Sequence, residues 1–379
     1  MSHYMFGDSV NKRILMIYIE PTPYVIDLIR EVRKVWDGEI EVLFLSINHS
    51  QNWGIDLDVD KYSVWSGEGV YAYWDKIRSG NYSLVHLAGW GHKYLLFGLF
   101  FARLLGARVS MESDTPLPRD LSLSKRILKR LLLPGIFKLP NIFLPGGEKQ
   151  AEFFQYYGVN REKIIIAQMT VDIHKIQSYL SSISENKRVS ILKYLNITTS
   201  SFVFLYVGRL EPHKGIVELI NVFNKIAVKY SNINLLIVGD GSLRKIVEDS
   251  SVKHENVKYT GRLSGDELLD TFCIANSFVL PSTFEPWGLV INEAMAAGLP
   301  VIVSDRVGCN SDLVDEGKTG FIYDATDVNQ LAIQMEKLVS DKSNSKKMGT
   351  NSLKKISGWT KKNEAENVVC AWKKVLSLK

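Results

Sequence analysis

Two glutamates, Glu285 and Glu293, are separated by seven residues in the stretch "PSTFEPWGLVINEAMAAGLPVIVSD", Pro281 to Asp305. "FVLPST" reads as a strand, "FEPW" as a loop, and a helix starts at Gly288 or Leu289. Unpaired backbone N–H groups at such a start carry partial positive charge and form a ready anion site. Glu285 lies in the loop before this end, and Glu293 about a turn and a half inside the helix. A carboxylate accepts hydrogen bonds from vicinal hydroxyls, so both positions suit sugar rings on either side of a diphosphate. Each acid also has a plain reading. Glu285 is a charge favoured by the helix dipole, and Glu293 a good helix former on a wet face. A second stretch, "GRLEPHKG" from Gly208 to Gly215, places Arg209 and Lys214 between two glycines. A guanidinium grips phosphate oxygens through a fork of donors, and lysine adds a compact charge. Taken with these two bases, the acids are hard to explain as surface residues.

The elements that must position these groups follow from apolar patterning. Short apolar runs alternate with helical patterns in two sets. The first comprises "RILMIYIE", "EIEVLFLS", "YSLVHLAG", "ARVSMES", "NIFLPGG" and "KIIIAQ" (Lys163 to Gln168). The second follows a polar, serine-rich segment from Ser178 to Ser201 and comprises "FVFLYVGRL", "INLLIVGDG", "VKYTGRL", "SFVLPST", "LPVIVSD" and "TGFIYD". Continuous apolar strands interleaved with amphipathic helices indicate parallel sheets covered on both faces. Two doubly wound α/β domains are therefore predicted, with a boundary between Ala167 and Leu180. In such sheets ligands sit beyond the carboxyl ends of the strands, where "GRLEPHKG" and "FEPW" both fall.

Length and composition agree. The 379 residues exceed one ordinary core. Hydrophobic residues make up 46% and charged residues 23%, a globular composition. The net charge of +5 and pI of about 8.8 allow an anionic partner, and no nucleic acid is expected. Cys273, Cys309 and Cys370 are odd in number and widely spaced, which favours a reducing compartment. The longest apolar run, Tyr94 to Gly106, contains Arg103 and is too short to span a bilayer. The expectation is a soluble, intracellular protein.

The motifs from Gly208 to Asp324 resemble the donor-binding half of the retaining glycosyltransferases of family 4, which have the GT-B fold. The resemblance rests on "EPWGLVINEAMAAGLPV", "GRLEPHKG" and the turn "GKTGF", Gly317 to Phe321. It implies two Rossmann-like domains facing across a cleft. Residues 1–172 would bind the acceptor and 173–355 the nucleotide-sugar, while a last helix within 356–379 returns to the N-terminal domain. It implies that Glu285 contacts the transferred sugar as a catalytic residue. The Arg209–Lys214 pair and the amides of Gly288 and Leu289 would hold the diphosphate, Glu293 would hold the ribose, Arg262 would border the base, and Gly208, Pro286 and Trp287 would complete the donor site. It further implies retention at the anomeric carbon and a nucleotide-sugar donor, a UDP-sugar sooner than a GDP-sugar. No cofactor or divalent metal is needed, because fixed positive groups neutralise the leaving diphosphate.

The N-terminal half departs from the family pattern. "EPTPY", Glu20 to Tyr24, stands where a glycine-rich loop is usual. Glu112 or Asp114 in "MESDT" stands where a catalytic histidine is usual, with His86 and His92 as rivals that also read as satisfied strand-end histidines. "DLDVD", Asp56 to Asp60, is rejected as a metal loop, since Lys61 and Gly67 occupy positions where an EF-hand needs glycine and glutamate. Finally, "SLSKRILKRLLLPGIFK", Ser122 to Lys138, mixes Lys125, Arg126, Lys129, Arg130 and Lys138 with leucines and has no acid. It reads either as a surface for an anionic membrane or as a helix with its apolar face in the core. The first reading implies a lipid-linked acceptor at the inner face of the cell membrane. A glycan acceptor, a soluble transferase to a small acceptor, a nucleotide-sugar hydrolase or epimerase, and a non-catalytic binding subunit are the alternatives.

Overall fold

The computed structural model describes residues 12–47, 58, 60–118 and 122–377. The chain divides into two compact units, residues 1–168 with 361–379, and residues 169–360. Asp56 of the rejected acidic loop lies outside the described residues; Lys61 pairs with Asp58 at 2.6 Å.

The first unit holds a six-stranded parallel sheet of β1 (Ile14–Tyr18), β2 (Ile40–Phe44), β3 (Ser63–Val64), β4 (Leu84–Leu87), β5 (Arg108–Ser113) and β6 (Ile142–Pro145) in the order β3-β2-β1-β4-β5-β6. Its helices are α1 (Pro23–Val35), α2 (Val70–Ser79), α3 (Lys93–Leu104), α4 (Leu123–Ile136) and α5 (Glu148–Tyr156). "EPTPY" becomes the start of α1. Thr22 caps it by accepting from the Val25 N–H, and Pro23 sits at the first helical position, where its missing N–H costs nothing. "KIIIAQ" is not a strand. It runs beside β6 through an isolated bridge between Ile164 and Phe143 and two backbone bonds, and then leaves for the second unit.

The second unit opens with α6 (Ile173–Ser182) and α7 (Glu185–Tyr194), where the sequence looked like a polar connector. Asp172 and Ser184 cap them, and Ile173, Ile176 and Leu192 join the core. Leu180 and Ile191, partly buried, pack against the same cluster, so a few apolar anchors dock two otherwise polar helices. The remaining elements are β7 (Phe202–Val207), α8 (Ile216–Lys229), β8 (Ile233–Val238), α9 (Arg244–Lys253), β9 (Val257–Tyr259), α10 (Gly265–Ile274), β10 (Ser277–Leu280), α11 (Leu289–Ala296), β11 (Val301–Ser304), α12 (Asn310–Leu313), β12 (Gly320–Tyr323), α13 (Val328–Ser340) and α14 (Lys342–Ile356). The strands are parallel and ordered β12-β11-β10-β7-β8-β9. The chain winds outward from β7 in one direction and from β10 in the other, so the switch point lies between these two neighbours.

The last helix, α15 (Lys361–Leu376), belongs to the first unit. Trp372 is fully buried, its ring edge-on to Trp36 at 5.8 Å and its Nε1–H donating to Ser110 Oγ at 3.0 Å.

Candidate functional site

The loops after β7 and β10 meet at the switch point of the second unit. Thr283 donates through both its N–H and its hydroxyl to the His213 carbonyl, at 2.8 and 3.2 Å. Gly215 caps α8 in the left-handed region, and a Cβ there would lie 2.3 Å from the Pro281 carbonyl oxygen. Only glycine permits that approach. The β10 loop is pinned from its other side as well. Glu285 N–H reaches the Arg306 carbonyl, the Gly308 N–H reaches the Glu285 carbonyl, and the Cys309 N–H reaches the Trp287 carbonyl. The loop ends at Gly288, which has φ +97° and caps α11 with no side-chain acceptor. The start of α11 is thus left without a protein capping group, as an anion site requires.

Lys214 and Glu285, separated by 71 residues in sequence, form an ion pair at 2.5 Å, with side chains 10% and 14% exposed. The sequence reading gave them different parts of one ligand; the structure makes them direct partners. Each fixes the other's position.

Arg209 is exposed, and its guanidinium makes no hydrogen bond or ion pair among the described residues. Its backbone is held by the Tyr206 hydroxyl on its carbonyl at 2.9 Å. Arg262 is likewise exposed, in a loop tied to the neighbouring "GDG" turn by the Gly239 N–H on the Gly261 carbonyl at 2.9 Å. Gly208 lies beneath that turn, its carbonyl so close that a Cβ on Gly239 would overlap it.

Glu293 is half-buried on α11, and its carboxylate has no hydrogen-bond or ion-pair partner among the described residues. Burial pushes its carboxyl up to about 7. A desolvated carboxylate with nothing donating to it fits a position where a ligand's hydroxyls supply the missing bonds.

Trp287 takes a different place from that expected of it. Its ring is buried, 2% exposed, packed against Trp359 at 5.6 Å, and its Nε1–H donates to Asn292 Oδ1 at 3.0 Å. Its side chain is therefore core. Pro286 and Leu289 remain half-buried at the loop and helix start.

The residues missed by sequence reasoning are Asn292 and His213. Asn292 is fully buried and donates to Thr170 Oγ1 at 3.2 Å and the Met169 carbonyl at 3.4 Å, while Thr170 donates to the Trp359 carbonyl at 2.7 Å. It therefore locks α11 to the two chain segments that begin and end the unit. An asparagine on the inward face of an otherwise apolar helix was the available signal. Burial, then Lys214 and Arg209, pushes the His213 imidazole below its ordinary value, so it is neutral near pH 7.

In the first unit, Glu112 stands half-buried at the end of β5. His86 is fully buried, which places it in the core rather than on a surface. Its Nε2 lies 3.0 Å from Glu112 Oε2 and its Nδ1 3.0 Å from Ser110 Oγ, and the Tyr18 hydroxyl donates to the same carboxylate oxygen at 3.2 Å. Because Trp372 Nε1 can only donate to Ser110, a consistent chain of donors runs from Trp372 through Ser110 and His86 to Glu112. Asp114 is exposed in the loop that follows. His92 caps α3, its Nδ1 accepting from the Tyr94 N–H at 3.4 Å. No group of three or more His, Cys, Asp or Glu side chains among the described residues is arranged to hold a metal ion.

Residues 189–355 match the family model "Glycosyl transferases group 1". Over 168 residues the chain is 33% identical to a capsular polysaccharide biosynthesis glycosyltransferase of Staphylococcus aureus, covering 43% of each chain. Over 232 residues it is 29% identical to an uncharacterized glycosyltransferase of Methanocaldococcus jannaschii, covering 59% of this chain and 63% of that one. The chain thus spans less than two thirds of the length of these relatives. A crystal structure of Anabaena HepE in complex with UDP superimposes with a TM-score of 0.77 at 17% identity, covering 96% of this chain and 100% of the other. The shared fold, two parallel-sheet Rossmann-like units, is that of the GT-B glycosyltransferases.

Proposed function

We propose that the protein, whose residues 189–355 match the glycosyl transferases group 1 model, moves a sugar, with retention at the anomeric carbon, from a nucleotide-diphosphate sugar to a lipid-linked or glycan acceptor in cell-surface polysaccharide assembly. The observation that carries this reading is the Lys214–Glu285 pair at the switch point, beside a helix start with no side-chain cap and the side chains of Arg209 and Glu293, which have no partner among the described residues. In this reading the diphosphate lies against the start of α11, where helix N–H groups, Arg209 and Lys214 offset its charge. That charge grows as the bond to the sugar breaks, so fixed cations stabilise the transition state more than the ground state, with no need for a metal. Glu285, held by Lys214, accepts from a hydroxyl of the transferred sugar, and Glu293 accepts from the ribose. Arg262 borders the base. Uracil is the base taken first, as in the UDP complex of the same fold, with guanine the alternative that the titration below decides. Glu112, oriented by Tyr18 and His86, is the first unit's acceptor for the incoming hydroxyl, with Asp114 beside it in sequence.

Calorimetric titration with UDP, GDP and ADP in metal-free buffer tests the proposal. UDP should bind selectively, with Arg209→Ala weakening it about 10-fold or more. Glu285→Gln should keep nucleotide affinity within a few-fold while turnover drops about 100-fold or more. A folded protein that binds none of the three nucleotides would overturn the donor site.

A further inference from the structure

The α4 helix is inside out. At 3.6 residues per turn, Leu123, Ile127, Leu128, Leu131 and Leu132 share one arc of roughly half the circumference. Lys125, Arg126, Lys129 and Arg130 take the remainder. In a helix docked by its apolar face, the leucines would point inward. Here Leu131 is 74% and Leu123 71% exposed, and Leu133 alone is buried, on the basic side of the wheel. Two of the bases lean back onto the protein, Lys129 Nζ over the Trp90 ring at 5.6 Å and the Arg130 guanidinium over the Tyr156 ring at 6.0 Å. The core alternative for this segment is thereby excluded. The neighbouring α3, which buries Leu99 in the same core cluster as Leu133, ends with Leu104 76% exposed.

We infer that the outer face of α4 docks on an anionic lipid bilayer, with the leucine arc in the acyl boundary and the bases that edge it at headgroup level. A leucine arc edged by lysine and arginine, with no acid from Ser122 to Lys138, complements that surface in both shape and charge. A second copy of the chain fits less well. A two-fold contact of this face would set the same four cations against themselves. The segment is too short to span the bilayer, and no described helix is long and apolar enough to do so, so the association is peripheral.

The test is co-sedimentation of the full chain with vesicles of phosphatidylcholine containing roughly one third phosphatidylglycerol, against pure phosphatidylcholine. The wild type should partition into the anionic vesicles at least about 10-fold better, and should be released by salt. Two variant sets probe the two halves of the surface. K125A/R126A/K129A/R130A should lower partitioning about 100-fold, and L128S/L131S/L132S should lower it about 10-fold or more. All seven positions lie outside the core, and circular dichroism and UDP affinity should be unchanged. Equal binding to both vesicle types, or variants that bind like the wild type, would overturn the inference. So would leucine variants that only convert a dimer to a monomer. Binding is read without turnover, so this outcome is independent of whether the transferase reading holds.

Discussion

At the scale of single residues, the site consists of charges whose partners are either fixed or missing. Lys214 and Glu285 satisfy each other, whereas Glu293 has only burial acting on it. That asymmetry has a pH signature. With its carboxyl near 7 against an ordinary value near 4.5, Glu293 is protonated in the free protein below neutrality. Its contribution to stability is complete below about pH 4.5 and is lost as pH rises through about 7. Ligand hydroxyls that need the carboxylate should therefore bind more tightly as pH rises through the same window. UDP-glucose is the appropriate probe, because its esterified diphosphate does not titrate there. Its affinity should increase several-fold from pH 6 to pH 8 in the wild type, and Glu293→Gln should flatten that profile and raise the thermal midpoint of the free protein at pH 8. A wild-type profile already flat would place Glu293 away from the ligand.

At the scale of elements, two glycines set how closely loop and helix approach. Gly215, at φ +69°, holds the start of α8 against the Pro281 backbone, and Gly288, at φ +97°, turns the β10 loop into α11 between Glu285, Val307 and Leu280. Replacing Gly215 by alanine adds left-handed strain of about 1–2 kcal/mol and drives a methyl group into a carbonyl that cannot yield without moving the β10 loop. Gly215→Ala should destabilise the protein by about 2 kcal/mol or more, and should weaken UDP binding because Lys214 and Glu285 lie on the two displaced loops. Chemical denaturation and calorimetry would measure both losses. Full retention of affinity would show that the loops adjust separately.

At the scale of the molecule, the last sixteen helical residues complete a core they follow by some two hundred positions. Trp372 is enclosed by Trp36, His86 and Ser110, all of the first unit. Trp372→Ala should cost about 3–5 kcal/mol, measured as an early unfolding transition. UDP affinity, for which the proposed site lies within residues 169–360, should stay within about twofold. A single transition shifted as a whole would mean that the two units unfold together.

What the sequence determined by itself is the information carried by local pattern. Apolar runs and helical spacing located both parallel sheets, and the glycine, arginine and glutamate motifs located the loops after β7 and β10, because strand ends and turns are specified within a few residues of chain. Tertiary structure decided which side chains meet. The order of strands brings Lys214 to Glu285 across 71 residues, and the closing of the core takes His86 and Trp287 out of solvent. Patterning reports that a helix has an apolar face but not whether a neighbour covers it. That is why α6 and α7 looked like a linker, and why α4 could be read in two ways until its leucines were found pointing outward.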